Sequence, residues 1–143
     1  MGYERVLLVD DEEEFTAVLA ERLQKRGMAV DTASSGTDAL KLVATQDYDA
    51  IILDLKMPGM DGIETLKNLQ TDNPDLQILL LTGHATLEKG IEAVRQGAID
   101  VIEKPADIQK LMALIEEAAN RKMILYEKRK EEEIQNILKT KGW

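Results

Sequence analysis

Several short apolar runs in this 143-residue chain end in residues that can do chemistry. Arg5–Val9 is followed by Asp10 and Asp11, and Ala50–Leu53 by Asp54. Ile78–Leu81 is followed by Thr82, and Ile99–Ile102 by Glu103 and Lys104. Three aspartates gathered in one crevice repel one another: at ~4 Å and an effective dielectric of about 20, each pair costs about 4 kcal/mol. Such a cluster needs compensation from a raised pKa, a lysine or a divalent cation. Oxygen donors without His or Cys select a hard cation, and one or two carboxylates with water and a phosphate are the usual surroundings of Mg2+. A lysine, a hydroxyl and a metal are also what stabilise a phosphoryl group in transfer. A carboxylate can be the nucleophile that receives it. Asp10, Asp11, Asp54, Thr82 and Lys104 are therefore the candidates, and phosphoryl transfer is the chemistry.

Composition removes most competitors. With no Cys, disulfide scaffolds, thiolate metal sites and Cys nucleophiles are excluded. His84 is the single histidine, which leaves no multi-His metal site and disfavours a His-based triad. A net charge of −9 argues against direct nucleic-acid binding, which uses basic patches to neutralise phosphates. The charge is uneven: residues 1–119 carry 11 basic and 23 acidic side chains, residues 120–143 carry 7 and 4. No apolar run approaches the ~20 residues that span a bilayer, and MGYER is no signal peptide. Met1-Gly2 lacks the Ser or Thr that a myristoylation start places at position 6, where Val6 stands. The expectation is a cytoplasmic protein with no membrane contact.

These residues must be positioned by an alternating scaffold. Arg5–Val9, Met28–Ala33, Ala50–Leu53, Ile78–Leu81 and Ile99–Ile102 read as strands; Arg5–Val9 is a continuous apolar run too short for a helix, and Ala50–Leu53 is all apolar. Between them apolar residues recur at helical spacing. Phe15, Val18, Leu19 and Leu23 precede a stop at Gly27, and Ala39, Leu40 and Val43 follow Ser35-Gly36. A third helix runs over Gly62–Leu69, after a loop at Met57-Pro58-Gly59. Leu87, Ile91 and Val94 mark a fourth, stopped by Gly97. Asp107 caps a last helix carrying Ile108, Leu111, Met112, Ile115 and Ala118. Strand and helix repeated five times predict an α/β fold: a doubly wound, parallel five-stranded (βα)5 sheet of order 2-1-3-4-5. In that order the first and third strands are neighbours at the switch point, so Asp10, Asp11 and Asp54 converge with Thr82 and Lys104 beside them. The body is expected over residues 1–120, with 121–143 as a helical extension or linker.

The run Leu7-Leu8-Val9-Asp10-Asp11, the segment Ile52 to Gly62 (ILDLKMPGMDG), Leu80-Leu81-Thr82-Gly83 and Glu103-Lys104-Pro105 resemble the receiver domain of bacterial two-component response regulators, over residues 4–119. The wording LTGHA and DVIEKP is similar to receivers that precede nitrogen-regulation-type transcription activators. The resemblance implies a flavodoxin-like fold, a Mg2+ cofactor, and a sensor histidine kinase as phosphodonor. It implies that Asp54 is the phosphoacceptor, Asp11 a direct Mg2+ ligand, Asp10 a ligand through water, and the backbone carbonyl of Lys56 a further ligand. Lys104 would contact the phosphoryl oxygens, Thr82 would move its hydroxyl onto the new phosphate, and Pro105 would set the geometry through a cis bond. Output would pass to a downstream protein or domain through the face of the fourth helix, fifth strand and fifth helix. Such a module is not an enzyme in the ordinary sense, because it assists only its own phosphorylation and dephosphorylation.

Other residues have plainer explanations. Glu12, Glu13 and Glu14 suit a solvated first helical turn, where acids complement the dipole. His84 opens the fourth helix at the surface, and the side chains of Lys56, Met57 and Pro58 serve a loop. Val101 departs from the pattern, since receivers commonly place there an aromatic residue that swings inward as the threonine moves. An aspartate-nucleophile phosphohydrolase would want an acid/base Asp two residues after the nucleophile, where Lys56 stands. A nucleotide or flavin binder would want a Gly-rich loop after the first strand, where Asp10-Asp11 stands. Beyond Arg121, Met123, Tyr126, Ile134, Ile137 and Leu138 form a ragged apolar stripe interrupted by the charge run Lys128–Glu133. Lys128 with Glu132 and Arg129 with Glu133 are spaced to pair within one helix. The extension is either a solvated linker or a helix that pairs with a second copy in a homodimer.

Overall fold

The structure, a computed structural model, describes residues 4–56, 62–83, 88, 91–92, 95, 97–98 and 100–140. Five strands, β1 (Arg5–Val9), β2 (Ala29–Ala33), β3 (Ala50–Leu53), β4 (Ile78–Thr82) and β5 (Asp100–Glu103), form one sheet of order β2-β1-β3-β4-β5. All four pairings are parallel. This is the doubly wound order that the sequence predicts. β4 runs one residue further than the apolar pattern, because Thr82 is still paired, with Glu103.

Successive strand residues point to opposite faces, and both faces are covered, so the central strands β1, β3 and β4 are almost wholly apolar, while the edge strands β2 and β5 carry exposed or half-exposed polar residues. Leu7, Val9, Ile51, Leu53, Ile78 and Leu80 join one buried cluster with Leu66 and Leu69 of α3 (Gly62–Asp72) and Ala39 of α2 (Gly36–Thr45). Val6, Leu8, Ala50, Ile52, Leu79 and Leu81 join the other. There they meet Leu19 and Leu23 of α1 (Glu13–Lys25) and Leu111, Ile115 and Ala118 of the C-terminal helix (Ile108–Thr140). Ser35 caps α2 by accepting from the Asp38 amide, and Asp107 accepts from the amides of Gln109 and Lys110.

The C-terminal helix is one unbroken element of 33 residues. Its continuation past the body is tied back to the amino-terminal end of the sheet. Lys122 Nζ lies 2.8 Å from Asp47 Oδ1 and 3.5 Å from Asp49 Oδ1, and Arg129 Nη2 lies 2.9 Å from Asp75 Oδ1. Arg129 thus pairs with the body rather than with Glu133. Met123, Ile124, Tyr126, Ile134 and Ile137 stay exposed. No helix among the described residues is long and apolar enough to cross a membrane.

The loop at Met57-Pro58-Gly59, His84, and Leu87 and Val94 of the expected fourth helix lie outside the described residues. Glu88, Ile91, Glu92 and Arg95 are described, helical and exposed.

Candidate functional site

Three backbone hydrogen bonds pin the candidate residues Asp10, Asp54 and Lys104 at the carboxyl ends of the strands. The Asp10 amide donates to the Ala33 carbonyl at 3.0 Å, the Asp54 amide to Val9 at 2.9 Å, and the Lys104 amide to Thr82 at 2.8 Å. Each residue just beyond its strand is therefore held by the last residue of the neighbouring strand, and the three side chains converge above β1, β3 and β5. Gly62 adds a further restraint. Its amide donates to the Leu55 carbonyl at 3.1 Å, and a Cβ at this position would come 2.8 Å from the Asp54 carbonyl oxygen and closer still to the Leu55 Cα. Only a residue without a side chain lets α3 start against the segment that carries Asp54. The Lys104–Pro105 peptide bond is cis.

Lys104 sits at the centre. Its Nζ lies 2.7 Å from Asp10 Oδ2, 3.0 Å from Glu12 Oε1 and 3.2 Å from Asp54 Oδ2. The Phe15 ring, reached one turn into α1, lies beneath it with 4.4 Å from Nζ to the centroid. Asp54 is almost fully buried, at 3% exposure, and its other oxygen accepts from Thr82 Oγ1 and from the Lys56 amide, both at 3.1 Å. Asp10 Oδ1 accepts from the Glu12 amide at 3.0 Å. Burial pushes the Asp10 carboxyl above its usual range and the Asp54 charge pushes the same way, against the Lys104 and Glu12 hydrogen bonds that lower it. Burial alone would lower the Lys104 ammonium, but its bonds to Asp10 and Glu12, with the charges on Asp54 and Asp10, reverse that and raise it. Lys104 is thus firmly cationic.

The structure brings together Asp10, Asp54, Thr82 and Lys104. Asp11 is exposed and stands outside the close group, whose third carboxylate is Glu12. The Lys56 side chain is exposed while its amide serves Asp54. Glu12 occupies the helix-start position expected of it, but as the residue flanking α1 it makes no capping bond with its side chain, which is free to reach Lys104. Nothing in its sequence spacing distinguishes Glu12 from Glu13 and Glu14. Val101 is half-buried against the core cluster on the α2 and α3 face.

The donor set suits a hard cation. Carboxylate oxygens of Asp10, Glu12 and Asp54 all lie within 4.8 Å of one another, and no nitrogen or sulfur ligand stands among them. Around Asp54 the arrangement offers a buried carboxylate, a hydroxyl and an ammonium, the parts needed to accept and neutralise a phosphoryl group.

The family model described as the response regulator receiver domain matches residues 6–116. The chain is similar to the transcriptional regulatory protein ZraR of Klebsiella oxytoca, with 36% identity over 113 residues, 79% of this chain and 26% of that protein. It is similar also to the DNA-binding transcriptional regulator NtrC of Escherichia coli strain K12, with 35% identity over 113 residues, 79% of this chain and 24% of that one. The chain thus spans about a quarter of the length of these relatives. Among solved structures, a response regulator receiver domain protein from Clostridium thermocellum superposes with a TM-score of 0.81 at 33% identity, covering 85% of this chain and 98% of that one. TrrA from Thermotoga maritima, solved in complex with Mg2+ and BeF, gives 0.73 at 31%, covering 80% and 98%.

Proposed function

Because the chain belongs to the family of response regulator receiver domains, we propose that Asp54 accepts a phosphoryl group from the phosphohistidine of a sensor histidine kinase in a Mg2+-dependent step. The observation that carries this is the environment of Asp54: a buried carboxylate contacted by Thr82, Lys104 and the Lys56 amide. An Asp54 oxygen forms the new P–O bond as the donor's P–N bond breaks, and the imidazole leaves with the electron pair. Lys104 faces the phosphoryl oxygens, and Thr82 turns its hydroxyl from the carboxylate to the phosphate. Asp10 and Asp54 would hold Mg2+ from the close group, and Asp11, which stands outside it here, would complete the set with the Lys56 carbonyl by turning inward. The cation would supply the positive charge that the phosphoryl oxygens need in the transition state.

Intact-mass measurement after incubation with a small acyl-phosphate donor tests the assignment. A single adduct that requires Mg2+ and is lost in Asp54→Ala is expected. An adduct that persists in the variant would move the acceptor elsewhere.

Output would reach a downstream protein or domain through the face that includes β5 and the start of the C-terminal helix. ZraR and NtrC are described as transcriptional regulators, so control of such an output is the role we assign. We assign no nucleic-acid contact to the acidic body itself. The exposed apolar residues of the C-terminal helix support a second copy of the chain as a partner there.

A further inference from the structure

A lysine ammonium has three N–H donors, and in Lys104 each faces a carboxylate: Asp10 at 2.7 Å, Glu12 at 3.0 Å and Asp54 at 3.2 Å. No donor is spare for an incoming phosphoryl oxygen, so one carboxylate must let go. The three are not equally easy to release. The side chains of Asp10 and Asp54 are 7% and 3% exposed, so water cannot replace the lysine there, whereas Glu12 is 62% exposed. The Glu12 backbone is fixed meanwhile. Its amide donates to Asp10, and its carbonyl accepts from the Thr16 amide and hydroxyl, all at 3.0 Å. Its side chain therefore swings from an anchored root.

We infer that Glu12 is a positioning residue that occupies one N–H of Lys104 in the resting protein and gives it up to the phosphoryl group on Asp54. The inference rests on Asp54 being the phosphoacceptor. Breaking the Glu12 contact is part of the barrier to phosphorylation, and a variant that never makes the contact skips that part. The pair is solvent-exposed on one side, so the gain is small, about two- to fivefold in rate.

The test uses the whole chain at saturating Mg2+, with a small acyl phosphate as donor and intact mass as the readout of the uptake rate. Glu12→Gln removes the charge, and Glu12→Asp keeps the charge but shortens the reach by one methylene. Both are expected to take up phosphoryl groups about two- to fivefold faster than the parent chain. Glu13→Gln, which changes the neighbouring charge without touching Lys104, is expected to match the parent. If Glu12→Asp also matches it, or Glu13→Gln accelerates as much as Glu12→Gln, local charge rather than contact sets the rate and the inference fails. It fails also if both Glu12 variants match the parent. A second readout needs no phosphoryl donor: the 15N resonance of the Lys104 ammonium should move in both Glu12 variants and not in Glu13→Gln. An unmoved resonance overturns the contact. A parent chain that accepts no phosphoryl group while the resonance moves overturns the role of Asp54 instead.

Discussion

Thr82 Oγ1 donates a 3.1 Å hydrogen bond to Asp54 Oδ1, joining the carboxyl ends of two adjacent strands through side chains that are 0% and 3% exposed. The hydroxyl that would follow the phosphoryl group already rests on its acceptor, so the bond contributes to the resting fold. Removing it leaves a buried carboxylate oxygen short of one donor. Thr82→Ala is expected to lower unfolding free energy by about 1–2 kcal/mol in urea titration, and Thr82→Ser to recover most of the loss. Equal midpoints for Ala and parent would show the bond to be energetically idle.

Asp10 makes the domain pH-sensitive in a defined direction. Its folded pKa is raised above the 3.8 of an unperturbed carboxyl, chiefly by burial. The folded state therefore holds this proton more tightly than the unfolded chain. The associated stability is full below that ordinary value and is lost as pH rises through the raised one. Asp10→Asn should flatten this part of the stability curve, so that the variant gains on the parent as pH rises. Urea midpoints measured across the acid-to-neutral range for both proteins read this directly, and parallel curves would contradict it.

Gly62 has no room for a methyl group, since its Cβ would collide with the backbone of Asp54 and Leu55. Backbone atoms cannot swing aside as a flexible side chain would. Gly62→Ala is expected to cost about 2–3 kcal/mol in thermal or urea unfolding and to slow phosphorylation by displacing Asp54. A variant as stable as the parent would mean that α3 shifts freely.

Arg129 and Asp75 are partly exposed, at 56% and 24%, so their ion pair should matter little for global unfolding. Arg129→Gln is expected to change it by less than about 1 kcal/mol. Its effect should be local: faster hydrogen exchange over residues 121–140, and more so when combined with Lys122→Gln. Unchanged exchange in the double variant would show that helix propensity alone holds the extension in place.

Five large apolar side chains between Met123 and Ile137 are each more than half exposed. A helical surface of this kind is hidden in a second copy more readily than left in water. The whole chain is expected to sediment with an apparent mass that rises with concentration, and a chain ending at Asn120 to remain monomeric. A truncated protein that still associates would place the contact on the body.

The strand pattern was legible because a parallel sheet covered on both faces needs near-continuous apolar runs, which β1, β3 and β4 supply, and the less apolar edge strands β2 and β5 fall at the matching places between helical stretches. The positions of Asp10, Asp54, Thr82 and Lys104 were legible for the same reason, since each lies at or just beyond the end of such a run. The pairing of charges on the extension was not. Arg129 stands four residues from Glu133, which suggests a pair within the helix, but the helix passes close enough to Asp75 for the body to take the arginine. That proximity depends on the path of a 33-residue helix relative to the β4 end of the sheet, and local spacing contains no trace of it.

The sequence by itself determined the sheet order, the layers and the set of chemical groups at the carboxyl edge, because side-chain alternation and short crossovers leave almost no other arrangement. Only the tertiary structure decided which carboxylates Lys104 meets. Asp10, Asp11 and Glu12 are consecutive and alike in charge, and what separates them is the backbone turn between β1 and α1. That turn buries Asp10, leaves Asp11 in solvent and aims Glu12 across at a lysine 92 residues away in the chain. The turn's own bonds, Glu12 to Asp10 and Thr16 to Glu12, are local, but its placement against the sheet comes from the Asp10 amide on Ala33 of β2, and the lysine it faces comes from the end of β5.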